Sequence, residues 1–161
     1  MDRKLPCTAI IVSYNHRDTL RKAVLSALEN GCEVVVVDNA SKDGSPESIM
    51  DLPCRIIRNR KNKGFSHACN QGAELAGTPY ILFLNPDCVL EKDVVEKMIR
   101  VDADAVIPVI YNEDGLESMG LAPSRAGMGF HVLSPGKEVF GGSGACSVSY
   151  THLTLPTTER V

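Results

Sequence analysis

The chain has no tryptophan, and aromatic residues make up only 5% of its 161 positions, so its core must be built from aliphatic side chains. It also has no excess of positive charge. Lys and Arg number 17 against 20 Asp and Glu, a formal charge of −3, which excludes a protein that holds nucleic acid or an anionic membrane by bulk electrostatics. The six cysteines, at 7, 32, 54, 69, 88 and 146, contain no CxxC pair and no metal-ligand spacing with the four histidines. Reduced and mostly buried thiols are expected. No apolar segment approaches the length of a membrane span, and residues 1 to 8 lack an apolar signal core, so the expectation is a cytoplasmic protein. Asn39-Ala40-Ser41 has the form of a glycosylation sequon but, without a secretory signal, no route to the modifying machinery. Two phosphate-binding sequences are missing as well. The turn after the first apolar run reads SYNHRD instead of G-x-G-x-x-G, there is no Walker sequence, and Gly141-Gly142-Ser143-Gly144 comes too late to replace one.

What is present is organised around Tyr80 to Asp87, YILFLNPD. Five apolar residues run without interruption and stop at Asn85, Pro86 and Asp87, the pattern of a strand covered on both faces. At this length the chain is one domain. Ala9 to Val12 is the first apolar run and ends in Ser13-Tyr14-Asn15. Asp18 or Thr19 is placed to cap a helix carrying Leu20, Val24 and Leu28 on one face, closed by Asn30-Gly31. Val34 to Val37 is the second run, ending in Asp38-Asn39, with Pro46 opening a short helix. Arg55 to Arg58 reads as a weaker strand, and Ser66 as the cap of a helix reaching about Ala76, whose amino end offers backbone N–H groups to an anion. A further helix is expected over Lys92 to Arg100, then an apolar run from Ala105 to Tyr111 in which Pro108 signals an edge or a bulge. Arg55, Arg58, Arg60, Lys61 and Lys63 form a basic cluster that either faces a diphosphate or is solvated surface.

Strands alternating with helices predict an α/β fold, a mostly parallel twisted sheet with helices on both faces. Parallel strands bring Ser13-Tyr14-Asn15, Asp38-Asn39 and Asn85-Pro86-Asp87 to one edge, where open α/β sheets bind ligands. An aromatic ring, acids and amides suited to a base and ribose, and an acid suited to a metal-bound diphosphate together match a nucleoside diphosphate.

AIIVSYN, VVVVDNASKDGS, NKGFSHACNQG and ILFLNPD resemble, in order and spacing, the successive motifs of family 2 glycosyltransferases with the GT-A fold, a Rossmann-like nucleotide-diphospho-sugar transferase fold. The likeness covers roughly residues 7 to 146, and Asn-Pro-Asp in place of the usual Asp-x-Asp resembles the rhamnosyltransferase-like branch. It implies that Tyr14 packs on the base, that Asp38 hydrogen-bonds base or ribose, and that the Asn62 to Phe65 loop closes over the nucleotide. Asn15, Asn39, Ser41, Gly64 and Asn70 complete the nucleotide pocket. Asp87 would coordinate a divalent metal, Mg²⁺ or Mn²⁺, with Asn85 near the ribose or a metal-bound water. The implied partners are a nucleoside-diphosphate sugar and a saccharide or lipid-linked acceptor, with peripheral membrane association of the parent protein compatible with the latter.

The family also implies a carboxylate base after the strand that Gly144-Ala145-Cys146 resembles, and SVSYTHLTLPTTERV matches nothing in the family there. Val148 to Thr157 is identical to the translated end of a common sequencing-library transposase adapter. The expectation is therefore a nucleotide-sugar-binding part over residues 1–147, a non-native tail over 148–161 and a fold incomplete at its C-terminus. Nothing in the spacing of Asp114 or Glu117 recommends either as a substitute base, so such a fragment is expected to bind donor weakly without transfer. Two rivals stay open: a nucleotidyltransferase, which would carry a glycine-rich basic loop after the first strand, and a non-catalytic nucleotide-binding half-domain.

Overall fold

All seven residues of β1 (Cys7–Ser13) are buried, and β2 (Glu33–Asp38) and β4 (Tyr80–Leu84) are buried except at their first residue. Strands of this kind form only between two covering layers. The computed structural model describes residues 4–101, 103–123, 129–134 and 145–150. These strands join β3 (Arg55–Arg58), β5 (Ala105–Val106) and β10 (Cys146–Tyr150) in a six-stranded sheet of order β3-β2-β1-β4-β10-β5.

Side-chain alternation along the strands divides the core in two. Ala9, Ile11, Val34, Val36, Leu82 and Leu84 pack against Leu20, Ala23, Val24 and Ala27 of α1 (Arg17–Glu29) and Val95 and Met98 of α3 (Val94–Ile99). On the opposite face Ile10, Val12, Val35, Val37, Ile81 and Phe83 meet Ala68 and Cys69 of α2 (Phe65–Ala73). Helices on both faces are thus observed. Outside the sheet, β6 (Ile110–Asn112) pairs with β7 (Gly115–Ser118), and β8 (Leu121–Pro123) with β9 (Gly129–His131), as two antiparallel hairpins.

The sheet is mostly parallel, as expected: five of its six strands run the same way, and β10 alone is reversed. β1 runs parallel to β2 and β4, and β2 to β3, whereas β10 is antiparallel to both β4 and β5. An apolar run carries no information on strand direction, and β10 reaches β4 only after the chain has passed through α3 and both hairpins. β10 also extends to Tyr150, past the expected boundary at 147, with Cys146 and Val148 in the α1-side core. The rest of the tail from Thr151, and the glycines at 141, 142 and 144, lie outside the described residues.

The expected helix caps are also corrected. α1 starts one residue before Asp18 with His16 at its N-cap, and α2 starts before Ser66 with Gly64 there, neither with a capping side-chain hydrogen bond. Ser45 donates nothing to α1 directly, but its Oγ accepts the His16 N–H at 2.9 Å, and Asp43 Oδ2 accepts the Arg17 N–H at 2.9 Å. The loop after β2 therefore replaces a local cap. The 105–111 run divides around Pro108 into β5, on the sheet edge, and β6. Proline has no N–H for a ladder, so an unbroken strand is not available there. α1 closes as expected at Asn30, with Gly31 at φ 81 donating to the Leu28 carbonyl, and Pro46 opens a 3₁₀ turn over Pro46–Ile49.

Candidate functional site

Register sets the site. Ser13 pairs with Asp38 and Ile11 with Leu84, so β1, β2 and β4 end together at one edge of the sheet. The three polar clusters read from the sequence meet there.

Asp38 is 3% exposed. Its Oδ2 accepts the Ser41 N–H at 3.1 Å, while Oδ1 is buried without a hydrogen-bond partner, as is Ser13 Oγ. A buried carboxylate oxygen left unpaired costs about 1–3 kcal/mol or more. Tyr14, 47% exposed, stands at the same edge.

Asn15 and Ser41 stitch the first two turns together. Asn15 N–H donates to Ser41 Oγ at 2.9 Å, and Asn15 Oδ1 accepts the Lys42 N–H at 2.8 Å. Asn15 adopts φ 60, a left-handed conformation that asparagine tolerates better than most residues.

Asn39, 2% exposed, ties β2 to the loop before α2. Its Oδ1 accepts from Asn59 Nδ2 at 2.9 Å and from the Lys63 N–H at 3.4 Å, and its Nδ2 donates to the Gly64 carbonyl at 3.1 Å. Asn59 in turn exchanges two amide hydrogen bonds with Gln71 of α2, at 2.8 and 3.1 Å. Gly64 sits at φ 87, and its N–H donates to Asn62 Oδ1 at 2.9 Å, so the 62–65 loop is closed on itself and tied through Lys63 and Gly64 to Asn39. Asn70 lies half-buried within α2. Asn59 and Gln71 were not legible as site residues, because their pairing joins the residue after the weak strand β3 to a helix, a contact that no local pattern marks. Within the basic cluster, Arg58 pairs with Glu47 at 2.7 Å, and Arg60, Lys61 and Lys63 are exposed on the loop.

Asn85 is half-buried and its N–H donates to the Ala145 carbonyl at 2.8 Å; Asp87 is exposed. Both line an open cleft of about 820 Å³ whose far wall is formed by β6, β7 and the residues before them. Glu117 lines it, whereas Asp114 sits on the β6–β7 turn with its N–H on Asn112 Oδ1. Burial, with the Asp87 and Glu117 carboxylates adding to it, pushes the Cys88 thiol in this cleft up to about 11. All six cysteines are free, four of them buried.

Among the described residues no group of three or more His, Cys, Asp or Glu side chains is arranged to hold a metal ion. The exposed Asp87 carboxylate and the half-buried Asn85 amide, both lining the cleft, each bring an oxygen donor. That suits a hard cation which takes its other ligands from phosphate and water, as Mg²⁺ does when one or two carboxylates hold it. Among the described residues no helix is long and apolar enough to cross a membrane.

An α/β domain whose strand ends converge in this way has a nucleotide-sugar-binding fold related to GT-A glycosyltransferases. Residues 8–124 match glycosyl transferase family 2, and the chain belongs to that family. It is 33% identical over 121 residues to the succinoglycan biosynthesis protein ExoO of Rhizobium meliloti, covering 71% of this chain and 35% of ExoO. It is 29% identical over 125 residues to the uncharacterized glycosyltransferase YfnE of Bacillus subtilis, covering 73% and 30%. Among solved structures, S. aureus TarS 1-349 superposes with a TM-score of 0.67 at 16% identity, over 90% of this chain and 47% of that one. The mannosyltransferase PcManGT of Pyrobaculum calidifontis, in complex with GDP-Man and Mn²⁺, gives 0.58 at 21% identity, over 68% and 36%. At these identities the structures speak for the fold. The chain spans about a third of the length of the curated relatives it matches.

Proposed function

We propose that this chain is the donor-binding part of an inverting glycosyltransferase. The parent moves a sugar, with rhamnose the first candidate, from a nucleoside diphosphate to a saccharide or lipid-linked acceptor in surface-polysaccharide synthesis. The observation that carries the reading is the convergence of the strand ends bearing Tyr14, Asp38, Asn85 and Asp87 on one sheet edge, where Asp38 Oδ1 is buried without a partner. Membership of family 2 and the likeness to a succinoglycan biosynthesis protein support the reaction class and its setting.

In this reading Tyr14 stacks on the base and Asp38 Oδ1 accepts a hydrogen bond from base or ribose. Asn15 and Ser41 hold the two turns in register, and Asn39 and Gly64 hold the 62–65 loop against the nucleotide, with Asn70 shaping the pocket from α2. Asp87, with Asn85 beside it, would hold a divalent cation. Once bound, that cation stabilises the negative charge that develops on the departing diphosphate. That PcManGT, a structure of related fold, is in complex with GDP-Man and Mn²⁺ supports the use of a divalent cation with the donor. An amide at position 85 is a weaker ligand than a carboxylate, so the affinity for the cation falls below that of a fully acidic motif.

The family match ends at residue 124 and the chain covers about a third of its relatives, so the acceptor-activating base is proposed to come from sequence beyond the match. Residues 148–161 are proposed to be foreign to the family domain even though Val148 is buried in β10, since an alternating segment pairs with β4 whatever its origin. The test is calorimetric titration of the 161-residue chain with UDP, GDP and dTDP, with and without Mn²⁺, beside a transfer assay. Weak binding strengthened by Mn²⁺, without transfer, is expected; turnover at rates normal for a transferase, or no binding of any nucleotide, would overturn the reading. For the full-length parent, acceptor-dependent release of nucleoside diphosphate excludes a nucleotidyltransferase.

A further inference from the structure

The cleft beside Asp87 lies on the other side of β4 from the nucleotide residues. Tyr14 and Asp38 follow β1 and β2, whereas the cleft is lined by residues following β4 and by the β6–β7 hairpin, and the two regions meet at Asn85 and Asp87. In its wall stands Tyr111, 68% exposed, and among the described residues no large apolar side chain is more exposed. The β6–β7 ladder shifts register between Ile110 and Tyr111. Such an irregularity re-aims the side chain that follows it. Next to the ring, Asn112, Glu113 and Glu117 line the same cleft. Among the described residues the charged side chains of that lining are all acidic, Asp87, Glu91, Glu113 and Glu117, with no Lys, Arg or His.

We propose that this cleft is the acceptor subsite and that it takes a neutral pyranose stacked on the Tyr111 ring. The proposal rests on the donor reading of the Asn85–Asp87 edge. A pyranose presents a face of C–H groups, weakly positive, to the negative face of an aromatic ring, and an exposed tyrosine offers that face at little entropic cost. Glu113, Glu117 and Asn112 supply acceptors for the hydroxyls at the sugar's rim. The same carboxylates repel a uronate or a phosphorylated sugar, because like charges meeting at an interface are costly. Neutrality of the acceptor at this position is therefore the specificity that the cleft encodes.

The test uses the 161-residue chain and the variants Tyr111→Ala and Tyr111→Phe. Saturation-transfer NMR is recorded with cellobiose, maltose and N,N′-diacetylchitobiose, and with cellobiuronic acid as the charged counterpart of cellobiose. Because the chain has no tryptophan, tyrosine fluorescence gives a second readout. The expected result is binding of at least one neutral disaccharide, weakened about threefold or more by Tyr111→Ala, kept by Tyr111→Phe, and absent for the uronate. No neutral disaccharide binding at tens of millimolar, equal binding of cellobiuronic acid, or indifference to Tyr111→Ala would each overturn the proposal. So would a loss, in Tyr111→Ala, of affinity for a nucleotide sugar relative to its nucleoside diphosphate, since the cleft would then hold the donor sugar. Saccharide binding is read without nucleotide, so failure of the donor reading shows separately, in the nucleotide titration.

Discussion

The side-chain amide of Asn39 donates to the carbonyl oxygen of Gly64 at 3.1 Å, which makes the end of β2 and the start of α2 a single unit. Asn39→Ala removes this bond and strands the Asn59 amide and the Lys63 N–H, both of which use Asn39 Oδ1. A loss of about 1–3 kcal/mol in denaturant unfolding is expected, together with weaker nucleoside diphosphate binding, because the 62–65 loop loses its anchor. Asn39→Asp keeps the two acceptor contacts but buries a carboxylate beside Asp38 and sets an oxygen against the Gly64 carbonyl, so it should destabilise as well, and more at neutral pH than in acid. Unchanged stability in Asn39→Ala would show that the loop is held by other contacts.

Gly72 fixes how closely α2 approaches the sheet. A Cβ there would stand 2.5 Å from Cγ2 of Ile10, a side chain only 1% exposed, and 3.4 Å from Val37 Cγ2. Alanine favours a helix interior over glycine by about 1 kcal/mol, yet overpacking a buried contact costs about 1–3 kcal/mol. Gly72→Ala is therefore expected to lower the thermal midpoint, and a raised midpoint would mean that α2 shifts outward freely.

Cys88 provides a pH reading of the cleft. The thiolate is the species that alkylates, and a thiol held near 11 is almost wholly protonated at neutral pH. Alkylation followed by peptide mapping should be slow at neutral pH and rise with pH up to about 11. Burial is the first cause of the shift, and the Asp87 carboxylate contributes to it, so Asp87→Asn should lower the inflection and speed alkylation at a given pH. An inflection near the ordinary value of about 8.5 would place Cys88 in open solvent.

The central strands were legible because YILFL and the run of four valines are unbroken apolar segments, and such segments are stable only inside a two-sided layer. The site edge was legible for the same reason, since Asp38 and Asn85 are the polar residues at which those runs stop. The antiparallel return of β10 was not, because direction is decided by how the intervening chain comes back, not by any local pattern. Ser66 and Asp18 had the residue types of helix caps, but Gly64 and the Asp43–Ser45 loop hold those helix starts instead, through tertiary hydrogen bonds invisible in sequence. Asn59, Gln71 and Tyr111 were missed because an amide pair across 12 residues and an exposed ring on a bulged strand leave no periodic signal.

Nucleoside diphosphate binding by the wild-type chain and by Asp87→Ala, each titrated with and without Mn²⁺, tests most directly whether the Asn85–Asp87 edge holds a metal-bridged diphosphate. The account predicts that Mn²⁺ strengthens binding to the wild-type chain and loses that effect in Asp87→Ala, while the nucleoside without phosphates binds both proteins equally. The same Mn²⁺ enhancement in Asp87→Ala as in the wild type would contradict it.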